Sequence, residues 1–106
     1  MVSIVTNVRL REGSERDWDA AMRKRMAAAA RQPGWIGGQV LGGDGGKPDG
    51  GAPSSRIIVG TWQTRDDWQK WHEDPAFMTT RAALDQMTAE PEQHAWYHVL
   101  VDVRPA

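Results

Sequence analysis

The chain has 106 residues, a formal net charge of -1 and no cysteine, which suits one domain with its own core and excludes two domains, disulfides, thiolate metal sites and thiol catalysis. Basic residues are interspersed with acidic ones, so no field of one sign favours nucleic acid or an anionic membrane surface. No basic-then-apolar leader opens the sequence and no apolar run is long enough to span a bilayer, so a cytoplasmic protein is expected, as the lack of cysteine allows.

Val2 to Leu10 reads as the first strand, with Ile4, Val8 and Leu10 on one face and Val5, Asn7 and Arg9 on the other. Ser14 and Asp17 form a capping box, and Trp18, Met22, Met26 and Ala29 follow at helical spacing, so residues 14–32 are expected to form an amphipathic helix. Its Arg16, Arg23, Lys24, Arg25 and Arg31 read as a solvated basic side. Pro33-Gly34 ends this helix, residues 35–42 form a second strand, and the glycine-rich tract at about 42–54 cannot hold regular structure, which makes it a mobile hairpin loop. The β-branched run Ile57-Ile58-Val59 leads a third strand to Trp62. Thr64 with Asp67 caps a short helix carrying Trp68 and Trp71, and Asp74-Pro75 restarts the chain as another helix carrying Phe77, Met78, Leu84 and Met87. Ala95 to Val103 closes the sheet.

The order strand, helix, strand, strand, helix, strand predicts an α+β fold of the ferredoxin-like split βαβ type: a four-stranded antiparallel sheet with helices on one face. Helices can cover only one face of such a sheet. Because the first and last strands are apolar on both faces, the other face calls for a partner sheet, and a homodimer is expected.

The strand ending in Thr61-Trp62, the helix with Trp68 and Trp71, and the Asp74-Pro75-Ala76-Phe77 start together resemble the antibiotic biosynthesis monooxygenase domain family of dimeric α+β barrels. Thr6 to Leu10, Pro33 to Gly38 and His98 to Val103 extend the resemblance over nearly the whole chain. It implies a cavity between helices and sheet in each subunit, and chemistry without a cofactor: a deprotonated flat phenol, quinol or anthrone-type substrate reduces dioxygen itself.

Six tryptophans exceed what an ordinary core of this size requires, and Trp35, Trp62, Trp68, Trp71 and Phe77 are candidates for cavity walls, whereas Trp18 and Trp96 read as plain core and sheet residues. Asn7 is conspicuous because a side-chain amide in an apolar strand needs partners or costs roughly 1–3 kcal/mol. Either it is a structural amide, or it faces the cavity; the resemblance supports the second, since Asn7 and Trp62 match an Asn and a Trp that act in the haem-degrading branch of the family. Both accounts place the Asn7 face toward the helices. His98, His72 and Arg81 are candidates for proton transfer or for stabilising an enolate. His98 is preferred, and His72 has a surface role as its default.

The haem-degrading branch also carries an axial histidine, which falls here at Thr80 or Arg81, so haem is disfavoured. No metal site is readable: His94 and His98 share a strand face but lie roughly 13 Å apart by strand rise. The candidate residues are therefore Asn7, Trp62 and His98 for chemistry, and Trp35, Trp71, His72, Phe77 and Arg81 for substrate. The alternatives are a haem-binding or haem-degrading protein with a substitute ligand, and a non-catalytic dimer that binds a hydrophobic ligand.

Overall fold

The computed structural model describes residues 1–43 and 54–106, so the glycine-rich tract expected as a mobile loop lies almost wholly outside the described residues. The elements are β1 (Val2–Arg9), α1 (Glu15–Ala29), β2 (Trp35–Gly42), β3 (Ser55–Trp62), α2 (Arg65–Glu73), α3 (Pro75–Gln86) and β4 (Gln93–His98). The strands form one antiparallel sheet in the order β2-β3-β1-β4. This is the ferredoxin-like α+β fold, with α1, α2 and α3 against one face.

Strand β1 is central, and its alternation decides what is buried. Ile4, Thr6, Val8 and, just beyond, Leu10 turn toward the helices, while Ser3, Val5, Asn7 and Arg9 turn away. Around this row lie two apolar clusters. One gathers Ile4, Ala29, Trp62, Trp71 and Phe77, with Trp35, Trp68 and Trp96 against it. The other gathers Val8, Leu10, Trp18, Met22 and Leu84. A fork from Arg56 to both carboxylate oxygens of Asp19, at 2.8 and 3.0 Å, ties β3 to α1.

Local signals explain the helix starts unequally. The Thr64 hydroxyl oxygen accepts from the Asp67 amide at 3.1 Å, and the Asp74 carboxylate accepts from the Ala76 amide at 2.8 Å, with Pro75 at the first turn. Ser14 makes no side-chain cap, contrary to the capping-box expectation. Its backbone is already helical, at φ -93° and ψ -2°, and not in the extended conformation that carries a cap oxygen over the first-turn amides.

The last strand also departs from the expected Ala95 to Val103. It runs from Gln93 to His98: Val2 pairs with His98, and a single bond from the Val99 amide to the Met1 carbonyl at 3.1 Å is the last of the ladder. Leu100, Val101 and Val103 are consequently exposed, Leu100 at 90%. The sheet face away from the helices is uncovered and carries Val5, Ile57, Val59, Leu41 and Tyr97. Among the described residues no helix is long and apolar enough to cross a membrane.

Gly13 and Gly34 both have positive φ, at 90° and 84°. A side chain at Gly13 would meet open space, whereas one at Gly34 would collide with the Asp67 side chain that completes the α2 cap. Gly13→Ala should therefore cost about 1–2 kcal/mol from backbone strain alone. Gly34→Ala should cost clearly more, because Asp67 cannot move aside without giving up Thr64; urea denaturation of the two variants checks the difference.

Candidate functional site

Between the sheet and the helices lies a cavity of about 90 Å³. Its walls are built from every layer: Ile4 from β1, Trp35 from β2, Ile58 and Trp62 from β3, Met22, Met26 and Ala29 from α1, Trp68 and Trp71 from α2, and Phe77 from α3. The rings meet edge to face. Trp35 and Trp62 stand 5.2 Å apart at 86°, and Trp71 and Phe77 stand 5.7 Å apart at 74°. Such contacts hold the rings rigidly.

Polar groups gather on one side. Thr6, Arg25, His72, Glu92 and His94 line the cavity. Arg25, His72, Glu92 and His94 also line an adjoining rim hollow of about 310 Å³, with Trp68, Gln69, Phe77, Arg81 and Asp85. The buried Thr6 hydroxyl lies 3.0 Å from His94 Nδ1, and His94 Nε2 lies 3.9 Å from Glu92 Oε2. His72 Nδ1 lies 2.9 Å from the Trp68 carbonyl oxygen. A carbonyl can only accept, so Nδ1 carries the hydrogen and Nε2 keeps its lone pair.

The structure brings together Trp35, Trp62, Trp71, His72 and Phe77, all of which line the cavity, and Trp62 is only 2% exposed. His72 is half-buried between the Trp68 ring at 3.7 Å and the Phe77 ring at 4.1 Å, so its default surface role is corrected. Arg81 reaches only the rim, where it is exposed and pairs with Asp85 at 3.8 Å. Asn7 is not in the cavity. It is exposed on the sheet face away from the helices, next to Ile57 and Gln93 in the ladder, because strand alternation puts it out of phase with Ile4 and Val8.

His98 is likewise outside. It sits on the helix side of β4 but opposite Val2, at the exposed end of the strand, and does not line the cavity. Its face-mate four residues earlier, His94, opposite Thr6, lines the cavity from the rim, with its side chain still 45% exposed. Trp68, a wall candidate from the sequence, lines the cavity as well, whereas sequence reading missed Thr6, Arg25, Glu92 and His94. For Thr6 the signal was present in the parity of Ile4, Val8 and Leu10. For His94 it lay in the face shared with His98. Arg25, expected on a solvated side, turns out to cap the cavity. Among the described residues no group of three His, Cys, Asp or Glu side chains is placed to hold a metal ion.

Burial lowers the His72 pKa to about 4, against the Trp68 hydrogen bond that acts the other way; the nearby Arg25 charge lowers it further. The imidazole is thus neutral at neutral pH. The unfolded imidazole binds its proton below about pH 6.5 and the folded one only below about 4, so between these values the unfolded state holds more protons and stability falls as pH falls. His72→Phe should flatten the part of the stability–pH slope in that window, as measured by denaturation at several pH values. The His72 ring resonance should titrate near pH 4 in NMR spectra.

Comparison with known proteins adds the family. No curated protein sequence matches the chain. Among solved structures, a proposed antibiotic biosynthesis monooxygenase from Nitrosomonas europaea superposes with a TM-score of 0.84 at 18% identity, covering 93% of this chain and 89% of its own. SnoaB from Streptomyces nogalater, described as a cofactor-independent oxygenase, superposes with a TM-score of 0.78 at 18% identity over 98% and 97% of the two chains. A conserved protein from Methanosarcina mazei gives 0.80 at 9% identity over 91% and 89%. At these identities the likeness speaks for the fold. The sequence profile named antibiotic biosynthesis monooxygenase matches residues 1–83, which include every strand but the last and most of α3, and the chain therefore belongs to the antibiotic biosynthesis monooxygenase family.

Proposed function

We propose that this protein is a monooxygenase that needs no bound cofactor and oxidises a flat, electron-rich phenol, quinol or anthrone-type substrate with dioxygen. The observation that carries the reading is the cavity itself: edge-to-face aromatic walls closed on one side by two imidazoles and a guanidinium. Family membership and the description of SnoaB as a cofactor-independent oxygenase support it.

In this reading Trp62, Trp71 and Phe77 hold the ring system, while Trp35 buttresses Trp62. Withdrawing the substrate from water keeps its anion reactive toward dioxygen. With Nδ1–H donated to Thr6, His94 Nε2 accepts the substrate proton, and the imidazolium that forms faces the Glu92 carboxylate. The deprotonated substrate supplies the electrons; one oxygen atom enters a ring carbon, and the other leaves as water with the two hydrogens the substrate loses, one of them the proton returned by His94. Neutral His72 offers its Nε2 lone pair to a substrate hydroxyl. Haem gains no support from the donors: Thr80 bonds Arg25 and the Phe77 carbonyl, and Arg81 pairs with Asp85.

The working unit is proposed to be a homodimer in which the uncovered sheet face and the exposed Leu100, Val101 and Val103 meet a second copy, because so much contiguous apolar surface is costly in water. Light scattering at micromolar concentration should show a dimer. A persistent monomer counts against it.

Purified protein should consume oxygen with an anthrone or quinol panel and no added cofactor. Without oxygen uptake, but with retained binding, the protein is a carrier of hydrophobic ligands. His94→Gln should lower kcat by about a hundred- to ten-thousandfold if His94 is the base. Trp62→Phe keeps an aromatic wall and should raise KM more than it lowers kcat, as steady-state oxygen-electrode assays would read.

A further inference from the structure

Arg25 stands out at the rim because everything that holds it is neutral. From α1 its Nε donates to the Thr80 hydroxyl at 3.0 Å and its Nη2 to the Phe77 carbonyl at 3.2 Å, while the guanidinium carbon lies 3.9 Å above the Phe77 ring. These contacts pin the guanidinium plane. Nη1 makes no hydrogen bond among the described residues.

Of the neighbouring charges, Arg81 pairs with Asp85 at 3.8 Å, and Glu92 sits 3.9 Å from His94, an imidazole that balances it only when protonated. Among the described residues no carboxylate comes within ion-pair distance of Arg25. Even partial withdrawal of a cation from water without a counter-charge in contact is costly, and a cation–π contact offsets only part of that cost. Burial is the main influence on this group and disfavours its charge, with Glu92 and Asp85 acting from farther away to favour it. An incoming anion would supply the missing partner. The guanidinium is suited to that role, since its planar donor edge matches a carboxylate or an oxyanion and stays charged at any working pH.

We propose that Arg25 is a specificity-determining residue that selects flat aromatic ligands bearing an anionic oxygen, a carboxylate or an ionised hydroxyl, with the ring in the tryptophan-walled cavity and the anion on Nη1. The inference rests on the cavity being the substrate site, as proposed above, but not on the oxidation chemistry.

The test is quenching of tryptophan fluorescence by naphthalene carboxylate, its neutral isostere naphthalene carboxamide, and a dinitronaphtholate that is ionised at neutral pH. Wild-type protein should bind the carboxylate about ten- to a hundredfold more tightly than the carboxamide, the range expected for one charged hydrogen-bonded contact. If the dinitronaphtholate shares the preference, Arg25 recognises anionic oxygen in general; if only the carboxylate does, the ligand class narrows to aromatic acids. Arg25→Met should abolish the preference by weakening the anions alone. Because Arg25 also braces α1 against α3, Thr80→Val serves as the control that removes one brace and keeps the cation, and it should retain the preference.

Equal binding of carboxylate and carboxamide by wild-type protein overturns the proposal with no variant needed. A preference that survives in folded Arg25→Met assigns it to another cation and overturns it too. Quenching by none of the probes removes the aromatic site and the proposal together. An anion preference without oxygen uptake on any substrate leaves this inference standing and sinks the monooxygenase reading, whereas oxygen uptake with no anion preference does the reverse.

Discussion

The phase of β1 is the constraint on which the rest of the molecule depends. With β3 it is one of the two inner strands, paired with β3 on one side and β4 on the other. A slip of one residue would turn Ile4, Thr6 and Val8 to the open face and bring Val5, Asn7 and Arg9 beneath the helices, burying an amide and a cation where an apolar floor is needed. The register against β4 also sets which histidine enters the site, since Thr6 opposite His94 and Val2 opposite His98 follow from the same ladder.

The two halves of the core use that floor differently. Around Trp18, with Val8, Leu10, Met22 and Leu84, side chains close up and leave Trp18 wholly buried. Around Trp62 and Trp71 the residues are larger and stiffer. Indole and phenyl rings meeting edge to face cannot collapse onto one another as flexible aliphatic chains do, so a void persists between them.

Polarity at the rim is arranged by backbone groups as much as by side chains. The Trp68 carbonyl selects one tautomer of His72 and the Phe77 carbonyl holds one edge of Arg25, so the α2 and α3 backbone aims both groups. Both carbonyls accept side-chain donors beside apolar rings, where water competes poorly and each bond is worth more than at the surface. The junction of α2 and α3 at Asp74-Pro75 sets the two helices at the angle that makes this possible.

Much of this was legible in the residues themselves. The β-branched run before Trp62, the caps at Thr64 and Asp74-Pro75, and the aromatic spacing through Trp68, Trp71 and Phe77 are local properties, carried by backbone preferences and side-chain periodicity that act within a few residues. Parity along β1 was local as well, and it already separated Thr6 from Asn7; the resemblance of Asn7 to a working amide drew attention to the wrong face. Other features had no local cause. The ladder of β4 with β1 ends at His98 opposite Val2, Arg25 enters the rim because α3 presents a hydroxyl and a carbonyl to it, and His94 lines the cavity only once it lies opposite Thr6. The sequence by itself determined which segments are strands and helices and which of their faces are apolar, since those follow from near neighbours. That Thr6 meets His94 and Arg25 meets α3 at the cavity was decided by the tertiary structure alone, because these encounters span 52 to 88 residues of chain and exist only when the sheet register and the helix packing are both in place.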